Sequence, residues 1–410
     1  MSTQSFADLG VSRAVVSSLS DHGITRPFAI QSQVIGDVLA GRDVLAKSPT
    51  GSGKTLAFGI PLVDRIEADA PRPSALILAP TRELATQIVE DIRPIAHARA
   101  LRVTAVYGGV GLVKQAQDAA RSHILVATPG RLEDQLARGA FKLGAVRMLV
   151  LDEADRMLDM GFRPAVDRVV DLCPAARQTL FFSATLDGEA GRVARQYTRD
   201  AVVRERGPDG RRASEDVEHR FVAVAHEHRI NALVGELRRD RGLTLVFVRT
   251  KHGADRLVKR LRTHGVDSAA MHGNKSQRQR ERALARFQSG EIDTLVATDV
   301  AARGIDVSGI SHVINFDPPA DRETYVHRTG RTGRAGATGI GITLVAPSEH
   351  RDVSRLAAGL GLDHGLGGTG AEQRTGAALR SGQANPDGRG SRGGGRSHRR
   401  SGNRRGASRG

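Results

Sequence analysis

The chain has 410 residues, a formal net charge of +16 and a pI near 11.0, with 39% hydrophobic and 3% aromatic residues. That length fits about two or three domains, and the excess of cations points to a polyanionic partner. No run approaches the ~18 uninterrupted apolar residues of a membrane span, no basic-then-apolar leader opens the chain, no Cys/His group has zinc spacing, and the single cysteine, Cys173, cannot form an intrachain disulfide, so a reducing cytoplasm is the expected compartment.

The first predicted strand is the short apolar run Val44-Leu45-Ala46. It leads into Ser48-Pro49-Thr50-Gly51-Ser52-Gly53-Lys54-Thr55 and then a helical stretch, Leu56 to Ile66. Strand, Gly-rich turn and helix N-terminus make a phosphate cradle, because glycines let backbone N–H groups crowd an anion and the helix dipole adds to the field. Lys54 is placed to reach the β- and γ-phosphates and the Thr55 hydroxyl to ligate Mg²⁺. The first position of the general G-x-x-x-x-G-K-[ST] pattern is Ser48 here, not Gly. Further strands are predicted at Ala75–Ala79, Val103–Tyr107, Ile124–Ala127, Met148–Leu151 and Leu180–Ser183, with helices between them such as Arg82–Ala96 and Pro164–Leu172. Near-continuous apolar strands alternating with helices argue for a parallel sheet covered on both faces. Ligands bind at the carboxyl ends of such strands, and Met148–Leu151 ends in Asp152-Glu153-Ala154-Asp155. One carboxylate there can hold Mg²⁺ opposite Thr55 while a second positions or deprotonates a water; acidic capping of a helix start is the plainer alternative.

Composition changes from Arg204 to Asp216, a charged, Gly/Pro-bearing stretch that reads as a linker. The alternation then resumes. Strands are expected at Arg220–Val224, Leu243–Val248, Thr294–Ala297, His312–Asn315 and Gly341–Val345, and helices at His228–Arg238, Gly253–His264 and Gln277–Phe287. It fades near Ala358. The organisation is therefore a first α/β domain over 1–203, a linker over 204–216, a second α/β domain over 217–358 and a tail over 359–410. Pro386 to Gly410 holds eight Arg, eight Gly and four Ser against one acid, Asp387, and cannot bury enough apolar surface to order itself. Such a segment is expected to hold a polyanion by charge attraction with little sequence preference.

Asp152-Glu153-Ala154-Asp155 is the signature of the DEAD-box RNA helicases, and the chain resembles that family in further motifs that occur in family order. Gly23-Ile24-Thr25-Arg26-Pro27 with Gln31 looks like the adenine-reading Q motif, spread over 4–32, with Phe6 at the upstream aromatic position. Pro80-Thr81-Arg82-Glu83-Leu84, Gly108-Gly109 and Thr128-Pro129-Gly130-Arg131 are similar to RNA-contacting motifs, and Ser183-Ala184-Thr185 to the motif that couples hydrolysis to unwinding. Val248-Arg249-Thr250, Gln277 with Arg280, the run Thr298 to Asp306, and His327-Arg328-Thr329-Gly330-Arg331-Thr332-Gly333-Arg334 match the second-domain motifs. The resemblance covers about residues 6–358. It implies two tandem RecA-like domains, each a mainly parallel sheet with helices on both faces, plus a disordered C-terminal tail.

The resemblance also implies roles, residue by residue. Gln31 would hydrogen-bond the adenine edge and Phe6 would stack on it. Ser52, Gly53, Lys54 and Thr55 would hold the phosphates, with Thr55 and Asp152 on Mg²⁺ and Glu153 on the attacking water. Arg331 and Arg334 would be arginine fingers from across the cleft, His327 would link the acidic motif to the second domain, and Ser183 and Thr185 would serve coupling. Thr81, Arg82, Gly109, Thr128, Arg131, Arg249, Thr298 and Asp306 would face RNA, Asp306 at a ribose. Two departures stand out: Phe28 replaces the Thr of the family's Pro-Thr-Pro-Ile-Gln and is expected to pack beneath the purine, and Ser48 replaces the usual Ala. The implied activity is ATP-dependent unwinding of short RNA duplexes or remodelling of RNA–protein complexes in the cytoplasm. ATP and Mg²⁺ are the implied cofactors, and RNA-processing or ribosome-assembly proteins the further partners. An annealing chaperone driven by the basic tail with a weak ATPase, and a DNA-directed motor, are the alternatives.

Overall fold

Side chains alternate across a strand, so a strand that is apolar at every position needs cover on both faces. The computed structural model supplies that cover in both halves of the chain. It describes residues 4–48, 52–205, 217–239, 242–302, 307, 309–333 and 337–366. Pro49 to Gly51 of the phosphate loop, linker residues 206–216, Arg303 to Asp306, Arg334 and the tail from 367 lie outside the described residues.

The first half forms β1 (Val44–Lys47), β2 (Ala75–Leu78), β3 (Val103–Val106), β4 (Ile124–Ala127), β5 (Met148–Leu151), β6 (Gln178–Ser183) and β7 (Val202–Glu205). They make one parallel sheet in the order β3-β4-β2-β5-β6-β1-β7. Successive residues fall into two separate cores. Ala46, Ile77, Val126, Val150 and Phe182 lie in one, and Leu45, Leu76, Leu125, Leu149 and Phe181 in the other. Phe58 packs edge-on to Phe182 in the first of these, with centroids 5.2 Å apart. The second half forms β8 (Val217–Ala223), β9 (Leu243–Phe247), β10 (Ser268–Met271), β11 (Thr294–Ala297), β12 (Ile310–Asn315) and β13 (Gly339–Val345). These make a second parallel sheet, β10-β11-β9-β12-β13-β8, again with a core on each face.

Strand order decides which loops become neighbours. The carboxyl ends of β5, β6 and β1 adjoin, so the acidic motif, Ser183-Ala184-Thr185 and the phosphate loop share one half of the first sheet's edge. Those of β3, β4 and β2 bring Gly108-Gly109, Thr128 and Thr81-Arg82 together on the other half.

The structure moves three boundaries. Arg204 and Glu205 belong to β7 rather than to a linker, because they pair with Ala46 and Lys47 of β1; the Arg204 guanidinium adds a tie to Asp37, Nε donating to Oδ2 at 2.6 Å and Nη2 to Oδ1 at 3.2 Å. β10, Ser-Ala-Ala-Met, carries too little apolar bulk to read as a strand and forms by pairing with β11. The second domain runs past Ala358 through a helix at His350–Leu360, closed by Gly361 in a left-handed conformation (φ +69°). Among the described residues no helix is long and apolar enough to cross a membrane.

Asp43 fastens β1 to its neighbours. Its carboxylate is 8% exposed and accepts from Thr179 N at 2.8 Å through Oδ1 and from Arg199 N at 2.7 Å through Oδ2. Asp43→Ala leaves both backbone donors without that acceptor and should cost about 2–4 kcal/mol. Thermal or urea unfolding measures it; a wild-type midpoint would mean the carboxylate is not the tie.

Candidate functional site

Lys54 opens the helix Lys54–Arg65, whose cap, Gly53, is left-handed (φ +85°), a turn that glycine makes without steric cost. The Lys54 side chain is buried. Nζ donates to Ser48 O at 3.2 Å and lies 4.0 Å from Asp152 Oδ1. Ser48, which departs from both patterns, is accommodated: its N–H donates to Ser183 O at 2.9 Å, and its hydroxyl meets the Ser52 hydroxyl at 2.6 Å. Thr55 is half-buried beside Lys54.

The acidic motif emerges from β5 into a region closed off from water. Asp152 is 2% exposed, and its Oδ1 accepts the Glu153 N–H at 2.9 Å. Burial raises its carboxyl to about 6, against the pull of Lys54. Glu153 sits in a left-handed conformation (φ +49°), a strained state for a residue with a Cβ that turns the chain into the helix Ala154–Asp159. Burial alone would push the Glu153 carboxyl up. Arg156, whose Nε is 3.6 Å from Oε2, and then Lys54, Arg331 and His327, overcome it and hold the group below its ordinary value. Asp155 Oδ2 accepts Ala184 N–H at 3.1 Å, tying the acidic motif to Ser183-Ala184-Thr185. Ser183 Oγ accepts Thr185 N–H at 3.3 Å, and Thr185 Oγ1 accepts Asp187 N–H at 3.1 Å.

Two of those cations come from the second domain. A small cavity is lined by Arg156 on one side and by Phe247, Asp299, His327, Arg328 and Arg331 on the other. The Asp155 and Glu323 carboxylates and the His327 ring converge there, with ligand atoms within 4.8 Å of one another. The arginines of the last motif divide their work. Arg328 is a brace: it pairs with both oxygens of Asp299 at 2.6 and 2.8 Å, donates to Asn315 Oδ1 at 3.0 Å and Asp317 O at 2.7 Å, and lies 5.0 Å from the Phe247 ring centroid. Arg331, one helical turn on, is the one whose field reaches Glu153. A second bridge joins the domains: Arg280 Nη2 is 2.8 Å from Glu83 Oε2, and Gln277 Nε2 is 3.5 Å from Glu83 Oε1.

On the other half of the sheet edge, Thr81 caps the helix Arg82–Ala98 by accepting Leu84 N–H at 3.3 Å. The Arg82 guanidinium lies over Gly108 and Gly109, so close that a side chain at Gly109 (φ +90°) would collide with it. Arg131 Nη1 donates to Val110 O and Gln115 Oε1, both at 3.2 Å. Thr128 starts the helix Pro129–Ala137 without a side-chain cap bond. In the second domain Arg249 is exposed, its N–H on Asp317 Oδ2 at 2.8 Å, and Thr298 is buried at the end of β11.

A DEAD/DEAH box helicase model matches residues 28–193, and a helicase conserved C-terminal domain model matches residues 228–336. The chain is 40% identical over 348 residues to "ATP-dependent RNA helicase CshA" of Limosilactobacillus reuteri, covering 84% of this chain and 69% of that one. It is 38% identical over 350 residues to the Bacillus subtilis "DEAD-box ATP-dependent RNA helicase CshA", covering 85% and 70%. The chain belongs to the DEAD-box helicases. Its fold is similar to that of S. cerevisiae Dbp5 bound to RNA and ADP BeF3 (TM-score 0.79, 28% identity, covering 87% of this chain and 93% of that one). It is also similar to Mss116p bound to ssRNA and AMP-PNP (TM-score 0.77, 26% identity, 86% and 76%).

Two aromatic residues of the expected base side of this DEAD-box helicase differ in their surroundings. Phe6 is 2% exposed, in the same core cluster as Val11, Val15 and Leu19. Burial of an apolar ring without a polar edge explains the placement. Phe28 is 56% exposed at the start of the helix Ala29–Leu39, with its ring against Gly53. Sequence reasoning also missed Glu83 and Arg156. The Glu153-to-Arg156 spacing of three was a usable helical signal; the cross-domain role of Glu83 had none.

The Asp152 carboxyl makes a stability prediction with a definite sign. Its folded value, about 6, lies above its ordinary 3.8, so the folded state binds the proton more tightly and loses stability as pH rises through that window. Asp152→Asn should therefore stabilise nucleotide-free protein at pH 7.5 by up to about 3 kcal/mol, seen as a raised thermal midpoint, with the gain shrinking toward pH 5. A midpoint at or below wild type at pH 7.5 would reject the strained carboxylate.

Proposed function

We propose that this DEAD-box chain is an ATP-dependent RNA helicase that couples ATP hydrolysis to local separation of RNA duplexes or remodelling of RNA–protein complexes. The observation that carries the reading is the buried Glu153 carboxylate, held charged by cations from both domains. Each domain holds part of the hydrolytic site, so turnover waits for closure.

The chain's own residues fit the roles. Lys54 reaches the phosphates once it exchanges its hold on Ser48 O. Asp152 is a buried carboxylate only partly neutralised by Lys54, and with the Thr55 hydroxyl it forms a hard oxygen pair suited to Mg²⁺. A bound Mg²⁺ would neutralise phosphate charge. Glu153, ionised at neutral pH, orients and deprotonates the attacking water. Arg331 meets the charge that develops on the transferred phosphoryl group. Arg82, Arg131, Thr128 and Gly109 on the first domain, and Arg249 and Thr298 on the second, form the RNA track. RNA spanning both and ATP in the cleft then favour the same closed state, and their coupling is reciprocal. Arg334, Asp306 and the Arg/Gly tail complete the reading as second finger, ribose contact and electrostatic RNA tether. The buried thiol of Cys173 fits a cytoplasmic enzyme, and RNA-processing or ribosome-assembly proteins fit as partners. A chaperone acting through its tail alone would have no use for the cross-domain wiring of Glu153.

Glu153→Gln should keep ATP and RNA binding while single-turnover hydrolysis falls ~10²–10⁴-fold, as on removing a general base; near-normal hydrolysis would sink the assignment. Arg331→Ala should spare nucleotide binding yet remove most of the RNA-stimulated rate, by ~10³-fold or more as for arginine fingers. If segment 1–205 alone hydrolyses ATP as fast as the full chain, the shared site is wrong.

A further inference from the structure

We propose that Asp155, Glu323 and His327 form a second cation site, shared between the two domains, that takes a transition-metal dication of the zinc class and holds the cleft closed. It is separate from the Mg²⁺ pair Thr55 and Asp152, and it stands without the ATP-hydrolase reading.

The two halves of the site come from different sheets. Asp155 lies in the first turn of the helix Ala154–Asp159 after β5, and Glu323 and His327 on the helix Arg322–Thr329 after β12. Glu323 and His327 are four residues apart, so both project from one face of that helix. One ligand atom from each of the three side chains lies within 4.8 Å of the other two. Two donors on one tetrahedral zinc ion, with bonds of about 2.1 Å, stand about 3.4 Å apart. Small side-chain rotations bring the three atoms onto one ion, with a water as fourth ligand.

Asp155 supplies an independent sign. It is 4% exposed; its Oδ2 accepts the Ala184 N–H, but its Oδ1 is buried and meets no hydrogen-bond donor among the described residues. A buried carboxylate oxygen without a donor is costly and calls for a proton or a cation. The surroundings favour a cation. Burial, then the negative fields of Asp159, Asp155 and Asp321, raise the Glu323 carboxyl, with Arg156 opposing them. Arg156 is itself paired with Glu153. A dication relieves this crowding of carboxylates. One imidazole nitrogen with two carboxylate oxygens is a mixed donor set, which favours zinc-class ions over Mg²⁺ with its preference for oxygen alone.

Because the ligands come from two domains, the ion binds the arrangement that joins them. By linkage it stabilises that arrangement and slows opening of the cleft, the kind of step that limits product release.

The test is zinc binding to nucleotide-free, full-length protein, counted against a chromophoric chelator in millimolar Mg²⁺. Wild type should bind one Zn²⁺ more than Asp155→Asn, which changes the first domain, and one more than Glu323→Gln, which changes the second. Each substitution should weaken that site by more than about 100-fold, beyond the loss seen on removing outer partners of a metal. The double variant should bind as many ions as either single one, since both destroy the same site. Zinc held on exposed histidines such as His226 and His228 is common to all four proteins. Zn²⁺ should also raise the thermal midpoint of wild type more than that of either variant. If Asp155→Asn does not fold, Glu323→Gln, an exposed position, carries the comparison. Equal zinc in wild type and Glu323→Gln, loss in one folded variant but not the other, or displacement of the ion by Mg²⁺ would each overturn the proposal. No hydrolysis is measured, so failure of the helicase reading would leave the zinc count to judge the site.

Discussion

A carboxylate shut away from water should take up a proton, and the structure is arranged so that Glu153 does not. Burial opposes its charge; Arg156, Lys54, Arg331 and His327 restore it. Coulomb attraction among close, poorly screened charges is strong enough to outweigh desolvation when several cations converge. Two of the four arrive from the second domain. The protonation state of the residue assigned to water activation thus depends on the position of a domain more than a hundred residues away in sequence. Asp152, adjacent in the chain, shows the opposite balance, with one cation and a carboxyl raised to about 6. Neighbouring carboxylates pushed apart in this way are a common basis for dividing chemical roles.

The rest of the second domain serves to aim those cations. Arg328 spends its donors on Asp299, Asn315 and Asp317 and lies over Phe247, so it joins the ends of β9, β11 and β12. That brace fixes the segment Tyr325–Arg331 and with it the direction of Arg331 and His327. Glu83 with Arg280 and Gln277 forms a second contact across the cleft. Glu83 belongs to the helix that also carries Arg82, which lies over Gly109. Ligand contacts on that helix and closure of the cleft therefore act on one rigid element, which is the physical content of coupling between two sites.

The first sheet separates two functions by strand order alone. Nucleotide-side loops follow β5, β6 and β1, and the loops assigned to RNA follow β3, β4 and β2. Within the first group, Asp155 ties the acidic motif to Ser183-Ala184-Thr185 by accepting the Ala184 N–H. The central strands β4, β2, β5 and β6 are buried at every position, in a close-packed interior that resists adjustment. Changes in the site fall to the loops and to the domain interface.

The sequence by itself determined the α/β class, the two halves, most strands and the order of motifs. Continuous apolar tetrads such as Ala75–Leu78 and Met148–Leu151 can survive only inside a two-faced sheet, and a Gly-rich turn before Lys54-Thr55 has few uses other than phosphate. The tertiary structure alone decided what pairing, burial and register decide. β7 is a strand because β1 pairs with it, and β10 because β11 lies beside it. Arg328 is a brace and Arg331 reaches Glu153 because the helix Arg322–Thr329 and the turn after it aim them differently, although both are arginines in one repeat. Phe6 and Phe28 carry the same side chain, and neither composition nor spacing distinguishes them. One packs among Val11, Val15 and Leu19 while the other caps a helix over Gly53. Exposure is a property of the surroundings that a residue acquires only when the chain has folded.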